Sequence, residues 1–180
     1  MPIETLEIYQ SQRKHIRSGD LIEFSSDNLT GRLIRFFTGQ SVNHSALVVR
    51  FTEHDLNDHV FLIEAISKGL QINRLSLRLE DYKGEAWWLP LKSELGQSIR
   101  DKIVKYGFMQ KTTLRKAGYD FVSLFANIFG PVNLDAKRFF CSEFYQACLR
   151  HAGLYLTLQK ALRPGEFYQL GLHTKRVRIK

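Results

Sequence analysis

The chain has 180 residues, 44% apolar and 24% charged, with 12 Gly and 4 Pro. That is enough for one hydrophobic core, too short for two full domains, and unlike disordered, collagenous or low-complexity protein. The formal net charge of +8 sits in the second half: residues 1–90 hold 10 Lys and Arg against 12 Asp and Glu, and residues 91–180 hold 16 against 6.

In chain order, residues 5–17 read as a short helix with Leu6, Tyr9 and Ile16 on one side, ending before the turn pair Ser18-Gly19. Leu21 to Phe24 reads as a short strand, and Gly31 to Thr38 as an apolar-basic segment of either type. The clearest β signal follows. His44 to Phe51 and Val60 to Ile66 are rich in β-branched residues and are joined by the polar stretch Thr52 to His59, the pattern of an antiparallel hairpin. Leu70 to Leu75 is a third strand after Lys68-Gly69, and Ala86 to Leu91 a fourth whose end Pro90 would confine to a sheet edge.

After Ser93 the period changes. Leu95, Ile99, Ile103 and Tyr106 recur at helical spacing behind a serine able to cap. Tyr119 to Phe129 is apolar nearly all round and stops at Gly130-Pro131, as a buried helix would. Cys141 to His151 carries Phe144, Ala147, Cys148 and His151 on one stripe and halts at Gly153, and Glu166 to Lys180 returns to strand character, its last residues alternating like an edge strand. Strands gathered before helices predict an α+β fold: a small antiparallel sheet or barrel packed against helices, in a single domain over 1–180 with 1–18 as an N-terminal helical extension.

The first twenty residues lack the apolar run of about 7–15 residues found in a secretory signal. The apolar stretch at 60–66, broken by Glu64, falls far short of the roughly 20 residues that cross a bilayer. A cytoplasmic protein is expected. Cys141 and Cys148 are seven apart; on one helix that is about 10 Å along the axis, beyond disulfide reach. The six histidines do not cluster with them at zinc spacing, so neither metal nor cofactor is expected. The scattered cations accompany no base-reading motif, and no nucleic-acid partner is expected.

Three polar residues interrupt apolar elements: His44 at a strand start, Glu64 within the next strand and Cys141 at a helix start. Singly, each is as well explained by packing or by a strand's wet face. Together they make a thiol nucleophile, a proton shuttle and a group that orients the shuttle. A helix N-terminus and an imidazole both favour thiolate. The register is open at this stage. A loop centred between residues 55 and 56 would set Glu64 opposite Leu47 and on the face away from His44; direct pairing with His44 would need a loop centred on His54, or a bulge. Cys148, beside Phe144 and Leu149, reads as core.

The ordered series Gly19-Asp20-Leu21-Ile22, SVNHSALVV at 41–49, LIEA at 62–65, GYDF at 118–121 and FCSEF at 140–144 resembles the circularly permuted NlpC/P60, or permuted papain-like, cysteine amidase group. The resemblance runs from about Gly19 to the Pro164 region. It implies Cys141 as nucleophile, His44 as base and acid, and Glu64 as the orienting group. Tyr119 resembles a pocket tyrosine that would bind the oxyanion together with the Cys141 backbone N–H. Phe140 departs from the tyrosine more usual there. The implied activity is cleavage of an amide bond, with a small peptide-like or acylated substrate and no cofactor. Two alternatives stand beside it: acyl transfer on lipid, with Phe36, Phe37, Trp87 and Trp88 meeting a membrane surface although they read more simply as core, and a binding module with a degenerate triad and a basic surface.

Overall fold

A computed structural model describes residues 3–29, 32, 35–36, 39–51, 56, 58–66, 69–117, 136–154 and 162–180, with backbone alone at 3–6, 112–117 and 136–140. The helix expected over 119–129, and Tyr119 with it, lie outside the described residues. The elements are α1 (Ile3–Arg13), β1 (Leu21–Ser26), β2 (His44–Val49), β3 (Phe61–Ile66), β4 (Gly69–Arg74), α2 (Leu75–Glu80), β5 (Gly84–Leu89), α3 (Gly96–Ala117), α4 (Ala136–His151) and β6 (Val177–Arg178). Short 3₁₀ turns occupy Ser93–Leu95 and Phe167–Leu170. The strands form one antiparallel sheet in the order β4-β3-β2-β1-β5-β6. The architecture is therefore α+β, with a six-stranded antiparallel sheet against helices. No described helix is long and apolar enough to cross a membrane.

Both faces of the sheet are covered, which is why its middle strands read as nearly continuous apolar runs rather than alternating ones. Leu21, Leu47, Ile63 and Leu89 pack on one face with Ile103 of α3 and Phe144, Cys148 and Leu149 of α4. Ile22, Phe24, Val48, Leu62 and Trp88 pack on the other with Tyr9 of α1 and Leu75 and Leu79 of α2. Each such large side chain contributes roughly 1.5–3 kcal/mol by leaving water. The two helices on the first face approach closely because α3 carries Gly107 where they meet the sheet. A Cβ there would lie 2.8 Å from Leu47 Cδ2 and 3.4 Å from Phe144 Cζ.

Two sequence expectations change. The third strand ends at Arg74, and Leu75, expected as its last residue, opens α2. The helical turn buries Leu75 and Leu79, four apart, and leaves Leu77 51% exposed. β5 is not an edge. It lies between β1 and β6, and Pro90 falls one residue past the last paired position, Leu89, where it removes no ladder bond. The edge on that side is β6, the two-residue strand in the C-terminal tail, and β4 is the edge on the other.

A candidate thiol–imidazole–carboxylate site

Register decides whether His44 and Glu64 can meet. In the β2–β3 ladder Leu47 faces Ile63, Val48 faces Leu62 and Val49 faces Phe61, so the hairpin is centred on residue 55. This is neither of the two registers left open by the sequence, one with Glu64 opposite Leu47 and one with the loop centred on His54. One residue reverses the face, and the observed register puts His44 and Glu64 on the same side, on a diagonal. The ladder ends at Leu47 and Ile63, whereas β2 continues to His44 against β1 and β3 continues to Ile66 against β4. The site lies at this unpaired end between the two strands. There His44 Nε2 is 2.9 Å from Glu64 Oε2.

Glu64 is fully buried and is held by three donors. Besides His44, Asn73 Nδ2 donates to Oε1 at 3.1 Å and Arg78 Nε to Oε2 at 3.3 Å. Burial alone would raise its pKa, but the hydrogen bonds and charges of His44, Arg78 and Asn73 prevail and hold it at about 2. The carboxylate is ionised at any ordinary pH. Arg78 is steadied in turn, its guanidinium 5.3 Å from the Phe24 ring centroid and 5.0 Å from that of Tyr82. Asn73 and Arg78 escaped the sequence reading. Asn73 lies two residues beyond Gln71, the partner of Glu64, and nothing local marks either residue.

Cys141 comes from the opposite layer. It belongs to the core formed by α4 with the other face of the sheet and is 4% exposed. His44, the first residue of β2, stands at the sheet's rim with its side chain 15% exposed, and it joins the two layers. Burial would lower its pKa, but charge and hydrogen-bond interactions with Cys141, and then with Glu64, raise it above the ordinary 6.5. Since Nε2 is taken by Glu64, Nδ1 is the nitrogen left for the thiol. The imidazole is thus hydrogen-bonded to the carboxylate and close enough to the thiol to interact with it.

Two details correct the sequence reading. Helix α4 begins at Ala136, so Cys141 lies in its second turn rather than at its start. The dipole field of the first turn has largely decayed there, leaving His44 as the main influence on the thiol. For the same reason the Cys141 backbone N–H falls within the helix rather than among its first free N–H groups.

No family model matches the chain, and no curated protein matches it. Among solved structures it is similar to metalloprotein yiiX from Escherichia coli O157:H7, DUF1105, at 18% identity and a TM-score of 0.53, over 76% of this chain and 66% of that one. The likeness is one of fold. Among the described residues no group of three or more His, Cys, Asp and Glu is arranged to hold a metal ion. The donors at the site are already engaged: one Glu64 oxygen by Asn73, the other by His44 and Arg78.

The remaining candidates separate cleanly. Cys148 is buried as expected, and burial raises its thiol far above the ordinary range. Both cysteines are free thiols. Of the aromatics, Trp88 is core at 6% exposure, but Phe36 is 80% exposed. The simple core reading fails for Phe36.

Proposed function

We propose that this protein is a cysteine hydrolase of the permuted papain-like kind, acting on an amide bond. The observation that carries the proposal is the His44 ring, bound to a buried, ionised carboxylate through Nε2 and interacting with the Cys141 thiol on its other side. With its Nε2–H donated to Glu64 and its pKa raised, His44 holds the thiol proton on Nδ1 as an imidazolium that Glu64 stabilises, paired with the Cys141 thiolate. The thiolate attacks the substrate carbonyl. Collapse of the tetrahedral intermediate breaks the C–N bond, and the departing amine takes the proton from His44. Water, deprotonated by the same nitrogen, then attacks the thioester. The acid is released and the imidazolium–thiolate pair is restored.

The fold likeness to yiiX, over three quarters of this chain, supports a related scaffold. That protein is named a metalloprotein; the engaged donors here favour thiol chemistry. The substrate class that fits is a small peptide-like or acylated amide. The direct test is turnover of a panel of short peptide and acyl amides, with labelling by a thiol-directed active-site probe. Cys141→Ala is expected to abolish both, and labelling undiminished in that variant would defeat the proposal.

One observation favours a second reading, acyl transfer at a lipid surface. Leu29 and Phe36 are 73% and 80% exposed, well beyond what a core needs. Sedimentation with anionic vesicles tests it; absence of binding at low salt removes it.

A further inference from the structure

A cleft of about 560 Å³ opens between the segment that enters β2 and the C-terminal tail, lined among others by Ser41, Gly165, Tyr168, Thr174, Lys175 and Arg176. It lies on the thiol's side of the sheet. Gly165 donates its N–H to Glu23 Oε1 at 2.8 Å. Glu23 faces Ser45 and Trp87 across its two ladders, on the face that packs against α4. His173, another lining residue, is 3.0 Å from the Tyr145 hydroxyl of α4. Ser41 precedes His44 by three residues, which limits their Cα separation to about 11 Å. The cleft therefore lies on the thiol's face of the sheet, and a short run of chain joins its Ser41 wall to His44.

Its charge is one-sided. The Arg176 guanidinium lies over the Trp87 ring at 4.8 Å and has one long hydrogen bond, 3.4 Å, to Ser41 Oγ. Neither Arg176 nor Lys175 has an ion-pair partner among the described residues, whereas Arg178, two residues on, is paired with Glu85 at 3.0 Å. Of the nearby acids, Glu23 is fully buried, accepts the Gly165 N–H and feels the Arg176 charge, but burial raises its pKa to about 7 and weakens it as a counter-ion, and Glu166 accepts the Arg163 N–H at 2.8 Å. The wall is also fixed in shape. Gly165 has φ +91°, and a Cβ there would come within 2.6 Å of Gln40 Oε1. A planar guanidinium held flat on an aromatic ring, with most of its five donors unused among the described residues, matches a carboxylate, which it can take with two parallel bonds.

We propose that this cleft is a subsite for a carboxylate on the substrate, with Arg176 as its specificity-determining residue and Lys175 adding charge. The inference rests on the amidase reading for its meaning, since it makes the substrate a carboxylate-ended amide such as a short peptide fragment or an acylated amino acid. Binding at the cleft is measurable without turnover.

The test is a fluorescence titration of the full chain, whose two tryptophans are Trp87 and Trp88, with N-acetylglycine and with N-acetylglycinamide. The expected result is a saturable change with the carboxylate and none with the neutral amide. Affinity should fall about tenfold in Arg176→Gln, less in Arg176→Lys and Lys175→Gln, and stay unchanged in the equally charge-reducing Arg178→Gln. Equal response to both ligands, undiminished affinity in Arg176→Gln and Lys175→Gln, or competition by inorganic phosphate at lower concentration than the carboxylate would each overturn it. Repeating the titration in Cys141→Ala keeps the two ideas apart. Carboxylate binding should persist there whether or not the wild-type protein hydrolyses amides.

Discussion

Cys141 and Cys148 lie two turns apart on one helix, both buried, yet only Cys141 meets an imidazole. The same contrast holds for the other two residue types. His44 and His173 are both tucked against α4. His173 is bound by the Tyr145 hydroxyl and the Phe167 carbonyl, and burial drives its pKa down to about 4, so it is neutral. His44, between a carboxylate and a thiol, goes the other way. Asp20 and Glu64 are both fully buried acids. Asp20 accepts from Arg17 N, Trp88 Nε1, Leu91 N and Arg100 Nη1, all at 2.8–2.9 Å, and these tie the chain before β1 to α3 and the far end of β5. Glu64 instead spends one oxygen on a ring that faces a nucleophile. The molecule thus holds two sets of thiol, imidazole and carboxylate. In one every donor and acceptor ends in packing; in the other they are chained together.

Breaking the chained set should cost activity, and breaking the packed set should cost stability. The largest expected effect is Cys141→Ala, which should reduce turnover by about 10⁴-fold or more, with His44→Ala close behind. Cys148→Ala should stay within about threefold per folded molecule, because that thiol does not touch the reacting groups. Next come the two acids. Glu64→Gln keeps its shape but removes the negative charge that stabilises the His44 imidazolium; activity should fall on the order of 10²–10⁴-fold. Asp20→Ala strands Arg100, 3% exposed, and should lower stability by about 3–5 kcal/mol in denaturant unfolding. Equal loss of activity per folded molecule in both variants would erase the distinction.

The smallest effect is a pH dependence. His173, held near 4 against an ordinary 6.5, binds fewer protons folded than unfolded between those values, so it weakens the fold as pH drops from 7 to 5. Glu23, raised by burial to about 7 from 4.5, binds more protons folded, so it strengthens the fold over the same interval. Glu143, also raised to about 7 by burial, acts in the same direction as Glu23, so the effect of Glu23 is read by difference. Glu23→Gln should make the change in stability from pH 7 to pH 5 less favourable by about 2 kcal/mol than in the wild type. Urea unfolding of both proteins at the two pH values measures this, and the same change in variant and wild type would contradict it.

Much of the site was legible because its parts are polar residues in apolar runs: His44 before ALVV, Glu64 inside FLIEAI, Cys141 before a helical stripe. Their assembly was less legible. A polar loop such as 52–59 does not announce its centre, and a one-residue error in that centre inverts the face of Glu64. The start of α4 was misplaced because the apolar stripe begins at Cys141, although Asp135, a residue type favoured just before helices, precedes Ala136 in the sequence. The supports of Glu64 were invisible for a different reason. Asn73 and Arg78 reach it from a neighbouring strand and the helix after it, and only the fold brings them near. α2 went unnamed because it is short, with only Leu75 and Leu79 buried.

The central claim is that His44 acts on Cys141 and not on its neighbour seven residues along. It is tested most directly by the rate of alkylation of each cysteine by iodoacetamide at pH 7, resolved by peptide mass analysis, in wild type and His44→Ala. The expected result is a fall of at least about tenfold at Cys141 with Cys148 unchanged. An unchanged rate at Cys141 would contradict the account.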